Sequence, residues 1–366
     1  MPLDLSSQGS HPLGETFDRQ LSSSEQARPS GFATVDAAVS LAQRELRARR
    51  FEAAAAVCRA AQARFGEVAE LMGILSLASS WLRLQTISRR AEVEIHVAVG
   101  EFHEVCGDRG QAGLEYGLAL EGDGNAVAAH LGLARLRMPG PDYLHHLQLF
   151  HQLLVPVVYL EIGVAKGQTL ALARPPTVAI GVDPKPSIET PIQAETHVYA
   201  STSDDFFGSG ILRHLLGDRR VGLAFIDGLH HFDQALRDFV NVERWADRHA
   251  VVLVHDTYPL DETTQRRERV TDYWTGDVWK FVACLRDLRR DLNVFTIPAW
   301  PAGLTVITGL NPASSVPANA YEATVAKYMG ASYDEIKLPG ILNLVPNGSD
   351  AVPSRLVPTL DRAGAA

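Results

Sequence analysis

Val157-Val158-Tyr159-Leu160-Glu161-Ile162-Gly163-Val164-Ala165-Lys166-Gly167 is the stretch around which the rest of the chain can be arranged. A run of β-branched and aromatic residues breaks at Gly163 and Gly167 and continues as Gln168-Thr169-Leu170-Ala171-Leu172-Ala173. The pattern predicts a strand, a tight turn and the start of a helix. Gly163, lacking a Cβ, can take a positive φ and let a ligand approach the backbone, and the helix beyond Gly167 would offer unpaired N–H groups. A second apolar strand, Val178-Ala179-Ile180-Gly181-Val182, ends in Asp183. An acid in that position, about twenty residues after the turn, stands where doubly wound folds bind a nucleotide ribose.

Downstream, the same rhythm repeats. His197 to Ala200 reads as a short third strand leading into Ser201-Thr202-Ser203-Asp204-Asp205, and Ile211 to Leu216 as a helix. Val221 to Ile226 is a strand ending in Asp227-Gly228-Leu229-His230-His231; the helix Phe232 to Ala246 follows, and Ala250 to Val254 ends in His255-Asp256. Apolar strands alternating with helices imply right-handed crossovers and a parallel sheet buried on both faces. Leu292 to Ile297 and Leu304 to Thr308, separated only by a short stretch with Pro301 and Gly303, read instead as a hairpin, so the sheet closes with an antiparallel strand. Between them and Asp256 lies Asp261 to Asp277, with Arg266, Arg267, Arg269, Tyr273, Trp274 and Gly276 and then Trp279 beyond it; these residues suit either a lid over a polar, ring-shaped ligand or core packing.

Upstream of Met138-Pro139-Gly140-Pro141 the sequence is alanine-rich and helical. Val35, Ala38, Leu41, Ala42 and Leu46 share one helical face, as do Phe51, Ala54, Cys58 and Ala61. A second helical pair is expected after Leu71-Met72, then a helix from Ala91 to Cys106, a turn and another helix from Gln111 to Leu120. Residues 1–32, rich in Ser, Gln, Gly and Pro, read as a flexible leader, 33–138 as the helical domain, 139–315 as the α/β domain and 316–366 as a C-terminal extension with a helix at Tyr321 to Tyr328.

Composition narrows the function. A net charge of −9 argues against a nucleic-acid polyanion as the main partner. Cys58, Cys106 and Cys284 lie far apart with no CxxC pair, which suggests buried thiols in a reducing compartment rather than a disulfide framework or zinc knuckle. No apolar run approaches the ~20 residues of a membrane span and no basic-then-apolar signal opens the chain, so a cytoplasmic protein is expected.

Taken together, the parallel strands, the acid Glu161 before a G-x-x-x-G turn, Asp183 after the second strand and the closing hairpin resemble a class I S-adenosylmethionine-dependent methyltransferase over residues 142–311. The resemblance implies a Rossmann-like, doubly wound, mostly parallel seven-stranded sheet with an antiparallel last strand. It implies that Glu161, Gly163 and Gly167 line the methionine part of the cofactor, that Asp183 accepts from the ribose hydroxyls, and that Thr202, Ser203 and Asp204 lie near the adenine. A nicotinamide-dependent oxidoreductase is the rival within enzymes; a carboxylate beside the turn would repel its pyrophosphate. The helical domain resembles a degenerate tetratricopeptide array, with Gly100, Gly107, Ala112, Tyr116 and Ala119 on the consensus spacing, which implies a protein partner or self-association and leaves a non-catalytic scaffold as a third reading.

The later strand ends are similar to metal-dependent sugar O-methyltransferases. That resemblance implies a hydroxyl of a sugar or glycosylated small molecule as acceptor, His230 as general base, Asp227 and Asp256 as ligands of Mg²⁺ or Mn²⁺, and a catalytic part for His255, which stands where the group's metal users carry an acid.

Overall fold

The structure, a computed structural model, describes residues 32–314 and 318–348; the leader expected before them and the end of the extension lie outside. The chain divides into two compact units between Arg89 and Arg90. Among the described residues no helix is long and apolar enough to cross a membrane.

In the first unit α1 (Val35–Arg47) begins where the Thr34 hydroxyl accepts the Ala37 N–H, with Asp36 in the first turn, a favourable arrangement at a helix N-terminus. It packs on α2 (Phe51–Phe65), whose Ala61 and Cys58 are fully buried against Ala38 and Ala42, and on the start of α3 (Ala69–Val105) through Leu71 and Ile74. The helical pair expected after Leu71-Met72 is one continuous helix. Nothing stops it: there is no proline, and Gly73 sits inside a helix with open space beside it.

The second unit continues with α4 (Arg109–Gly122) and α5 (Val127–Arg137). Gly107 turns the chain at positive φ and Asp108 caps α4 by accepting the Gln111 N–H. Tyr116 is buried where a Cβ on either Gly100 or Gly132 would collide with its ring, and its hydroxyl donates to Glu104, which also accepts from Arg135 at 2.8 Å. Small residues thus allow close helix packing, as the spacing predicted, but such packing is common to helical hairpins and does not single out a tetratricopeptide array. The predicted domain boundary near residue 138 is not where the units part. Ala134 and Met138 pack into the same apolar cluster as the sheet.

The sheet is built from β1 (Val158–Ile162), β2 (Val178–Asp183), β3 (Glu195–Ala200), β4 (Val221–Ile226), β5 (Ala246–His255), β6 (Asn293–Ile297) and β7 (Leu304–Thr308), in the order β3-β2-β1-β4-β5-β7-β6. It is parallel through β5, and β7 runs antiparallel to both its neighbours. Alternate side chains fill two apolar layers. Leu160, Ile180, Ala224 and Val252 face α7 (Ser203–Gly208), α8 (Ile211–Leu216), α9 (Phe232–Trp245) and α10 (Trp279–Leu288). Tyr159, Ala179, Phe225 and Leu253 face Leu147 and Phe150 of α6 (Tyr143–Leu154). The chain ends, within the described residues, in α11 (Ala318–Met329) and α12 (Leu338–Leu342).

One local expectation fails at the centre of the fold. Beyond Gly167 there is a single 3₁₀ turn, Leu170–Leu172, not a helix. Ala173 is already extended and Pro175 disfavours the helical region for Arg174, so the run is too short to offset the cost of nucleating an α-helix. Cys58 and Cys284 are buried, as read, but Cys106 is exposed just past the end of α3.

Candidate functional site

Strand order reverses between β1 and β4, and ligands of open α/β sheets bind outside the carboxyl ends of strands at such a point. A cavity of about 730 Å³ opens there, lined by Gly163, Asp183, Ser201 to Asp204, Asp227 to His230, His255 and Asp256, and by two residues of α9, Gln234 and Asp238. Most of the residues singled out from sequence meet in this one space. Glu161 and Gly167 do not line it.

The strand alternation explains Glu161. It shares the face of Tyr159 and is wholly buried, its carboxyl accepting from the Tyr159 hydroxyl at 2.6 Å and from the Thr169 hydroxyl at 2.7 Å. It therefore ties the loop after β1 to the strand instead of facing a ligand. Burial raises its carboxyl to about 8, against the opposing pull of the two hydrogen bonds. A carboxyl raised in this way adds stability that is fully present below 4.5 and lost as pH rises through about 8. Glu161→Gln is expected to flatten the decline of thermal stability across that window, followed by circular dichroism; an unchanged decline would contradict this account.

Asp183 lines the cavity with its carboxylate engaged by the backbone. One oxygen accepts the N–H groups of Val164 and Ala165 at 3.0 and 2.9 Å, and the other accepts Lys185 N–H at 2.7 Å. The acid at the end of β2 thus shapes the loop after β1. Gly163, at positive φ, lies so close to the Asp227 carbonyl that a Cβ would overlap it, and its N–H donates to Val182 O at 2.8 Å. On the far side Thr202 caps α7, while the Gln234 amide donates to Ser203, Asp204 and Asp238 at 3.2, 3.2 and 3.1 Å. Asp238 is buried, which pushes its carboxyl up to about 6.

At the ends of β4 and β5 two carboxylates meet two imidazoles. His230 Nε2 lies 3.0 Å from Asp256 Oδ2 and 3.7 Å from Asp227 Oδ1; His255 Nδ1 lies 3.4 Å from each of the same oxygens. Burial opposes charge on both rings, but the Asp256 and Asp227 carboxylates outweigh it, raising His230 to about 9 and His255 to about 10. The same neighbours, against burial, hold Asp256 well below the usual carboxylate range. Asp256 sits at φ +59, a conformation uncommon for a residue with a side chain. His255 also packs against the Tyr143 ring of α6 at 4.3 Å between centroids.

The segment from Asp261 to Asp277 is pinned, not a free lid. Tyr273 and Trp279 are core residues, and Asp277 caps α9 by accepting the Phe232 N–H at 3.0 Å. Arg267 bridges Asp233 at 2.8 Å and Asp277 at 3.3 Å. Trp274 remains half-buried, stacks on His230 with 5.0 Å between ring centroids, and accepts His230 Nδ1–H through its carbonyl at 2.9 Å. Gly276 presses against the His230 carbonyl so closely that no Cβ would fit. Sequence reasoning missed Tyr143, Gln234 and Asp238. The last two sit four apart on α9, next in the chain to a marked Asp-His cluster, which is the signal that was available.

A family model described as a methyltransferase domain matches residues 160–257, the span from β1 through β5. No curated protein matches the chain. Among solved structures, cofactor-bound Rv0187 from MTB aligns at 17% identity over 51% of this chain and 91% of that one, with a TM-score of 0.36. The O-methyltransferase TomG from Streptomyces achromogenes, involved in tomaymycin synthesis and solved with SAM, aligns at 18% identity over 51% and 90%, TM-score 0.36. An O-methyltransferase from Bacillus cereus in complex with SAH aligns at 12% identity over 48% and 86%, TM-score 0.32. The sheet order and the antiparallel closing strand give the chain a Rossmann-like architecture, and it is the β1 to β5 region of that sheet that is similar to the methyltransferase-domain family.

Proposed function

We propose that the chain transfers a methyl group from S-adenosylmethionine to a hydroxyl oxygen of a small polar acceptor, a sugar or glycosylated metabolite. The observation that carries this reading is the charge of the cavity. Asp183, Asp204, Asp227, Asp238 and Asp256 line it against the two imidazoles of His230 and His255, so acids outnumber cationic groups, and among the described residues no lysine or arginine lines it. Such a wall suits a ligand bearing an ammonium and a sulfonium and opposes the pyrophosphate of a dinucleotide. Its volume is within the roughly 300–1,000 Å³ of small-molecule sites.

In this reading Gly163, Asp183, Ser203 and Asp204 hold the cofactor, with Gln234 and Asp238 backing the adenine end. The cofactor, when bound, supplies an electrophilic methyl group. The acceptor hydroxyl must then be aligned in line and relieved of its proton. The Asp227, His230, His255 and Asp256 cluster stands beside the cofactor half. His230 as general base needs a neutral ring, which two facing carboxylates resist; a cation on those carboxylates would offset their field.

Calorimetric titration with S-adenosylmethionine and, separately, with NAD tests the reading. Micromolar binding of the sulfonium cofactor is expected, and none of NAD. Asp183→Ala should weaken that binding by about 10- to 100-fold, the range for losing hydrogen bonds to a charged group. Binding of NAD alone would overturn the proposal.

A further inference from the structure

α3 packs one face into the fold and leaves another bare. In the first unit it buries Leu71, Ile74 and Ala78, while Leu77, Trp81, Leu84 and Ser88 are exposed. Trp81 stacks on the Phe51 ring at 5.6 Å between centroids and is still 48% exposed, a fixed aromatic surface facing water. In the second unit α3 buries Val93 and Gly100 against Tyr116 of α4, while Ala91, Ile95, Ala98 and Phe102 are exposed, Phe102 at 64%. Positions 77, 81, 84, 88, 91, 95, 98 and 102 follow one another in strictly alternating steps of four and three. That is the a/d spacing of a coiled coil, carried through more than three heptads of one uninterrupted helix. Exposed apolar surface of this extent marks an interaction site.

The charges of the same helix say what covers it. From Leu77 to Arg90 it carries Arg83, Arg89 and Arg90 and no acid; from Ala91 to Val105 it carries Glu92, Glu94, Glu101 and Glu104 and no lysine or arginine. Two parallel copies would set arginines against arginines and glutamates against glutamates. An antiparallel pair sets opposite charges together. We infer that α3 pairs antiparallel with α3 of a second copy of this chain, about a two-fold axis near Arg89 and Arg90. In the a-to-d register Trp81 lies opposite Ala98 of the other copy, Leu84 opposite Ile95, Leu77 opposite Phe102 and Ser88 opposite Ala91. The bulkiest ring thus meets a small side chain, and small residues at the axis let the backbones approach. Arg83 and Arg89 then flank the seam beside Glu94 and Glu92 of the other copy. A two-fold interface repeats each of these contacts twice, so a modest seam is doubled. The pairing does not depend on what the cavity above the sheet binds.

Sedimentation equilibrium of the full chain tests it. A dimer of twice the chain mass is expected at about 50 µM, a concentration that populates pairs of micromolar affinity. Leu84→Glu buries a carboxylate twice at the seam beside the glutamates of the other copy, and should weaken the dimer by about 100-fold or more. Leu118→Glu, at an exposed leucine of α4, should leave it unchanged. Orientation is read from the wild-type protein with nitroxide labels on Cys106, which is exposed just past α3 while Cys58 and Cys284 are buried. At 1.5 Å per residue the antiparallel register separates the two labels by roughly 50 Å, whereas a parallel pair would hold them within roughly 20 Å. A monomeric chain, a dimer that survives Leu84→Glu, or labels at the short distance would overturn the proposal.

Discussion

Gly163→Ala is expected to abolish binding of S-adenosylmethionine and to lower the melting temperature by about 4 °C. The added Cβ would overlap the Asp227 carbonyl, and an alanine would have to hold a positive φ. Left-handed backbone costs a residue with a Cβ roughly 1–2 kcal/mol, and overpacking typically adds about 1–3 kcal/mol. The total, about 3 kcal/mol or more, corresponds to a melting-temperature loss of that size in a chain of this length. The only relief is for the ends of β1 and β4 to part, and the cavity lies between them. Differential scanning calorimetry with and without the cofactor checks both parts. Gly73→Ala, in a helix with open space around it, is the control and should be neutral or stabilising. A Gly163→Ala protein with wild-type affinity would show that the two strand ends are not held as described.

Asp256→Asn is expected to eliminate divalent-ion binding, by about 100-fold or more in affinity, while changing the affinity for S-adenosylmethionine by less than about 3-fold. Asparagine is the informative replacement because it tolerates the left-handed backbone that Asp256 adopts, whereas alanine would add strain to the loss of charge. The substitution removes the carboxylate that lies closest to His230 and leaves Asp227 to face both imidazoles. Calorimetry with each ligand, and methyl transfer once an acceptor is in hand, separate the outcomes. Loss of cofactor affinity along with the metal would mean that the acid cluster belongs to the cofactor's own binding surface.

How far the sequence carries can be judged residue by residue. β1, β2, β4, β5 and the closing hairpin were legible because strands buried on both faces are continuous apolar runs ended by polar residues. Asp227, His230, His255 and Asp256 were legible as a cluster because parallel strands deliver all their carboxyl ends to one edge. The side of the strand on which Glu161 falls was decided by a period of two that the motif obscured, so a carboxyl expected at the ligand is buried beneath the loop. The helix expected after Gly167 was lost to a nearby proline, and α3 runs on where a break was expected because no proline interrupts it. Tyr143, Gln234 and Asp238 reach the site through tertiary packing alone, which no local pattern encodes.

The contact between Gly163 and the Asp227 carbonyl is made by main chain on both sides. In the proposed reaction it works as a ruler. The distance from the donor half of the cavity to the acid cluster is set by two strands in register and not by adjustable side chains, so the depth at which an acceptor oxygen must arrive is fixed before any acceptor enters. Selectivity built in this way acts on the position of one hydroxyl and is indifferent to the remote parts of the molecule that carries it. A panel of acceptors differing far from the methylated oxygen would then share one regiochemistry.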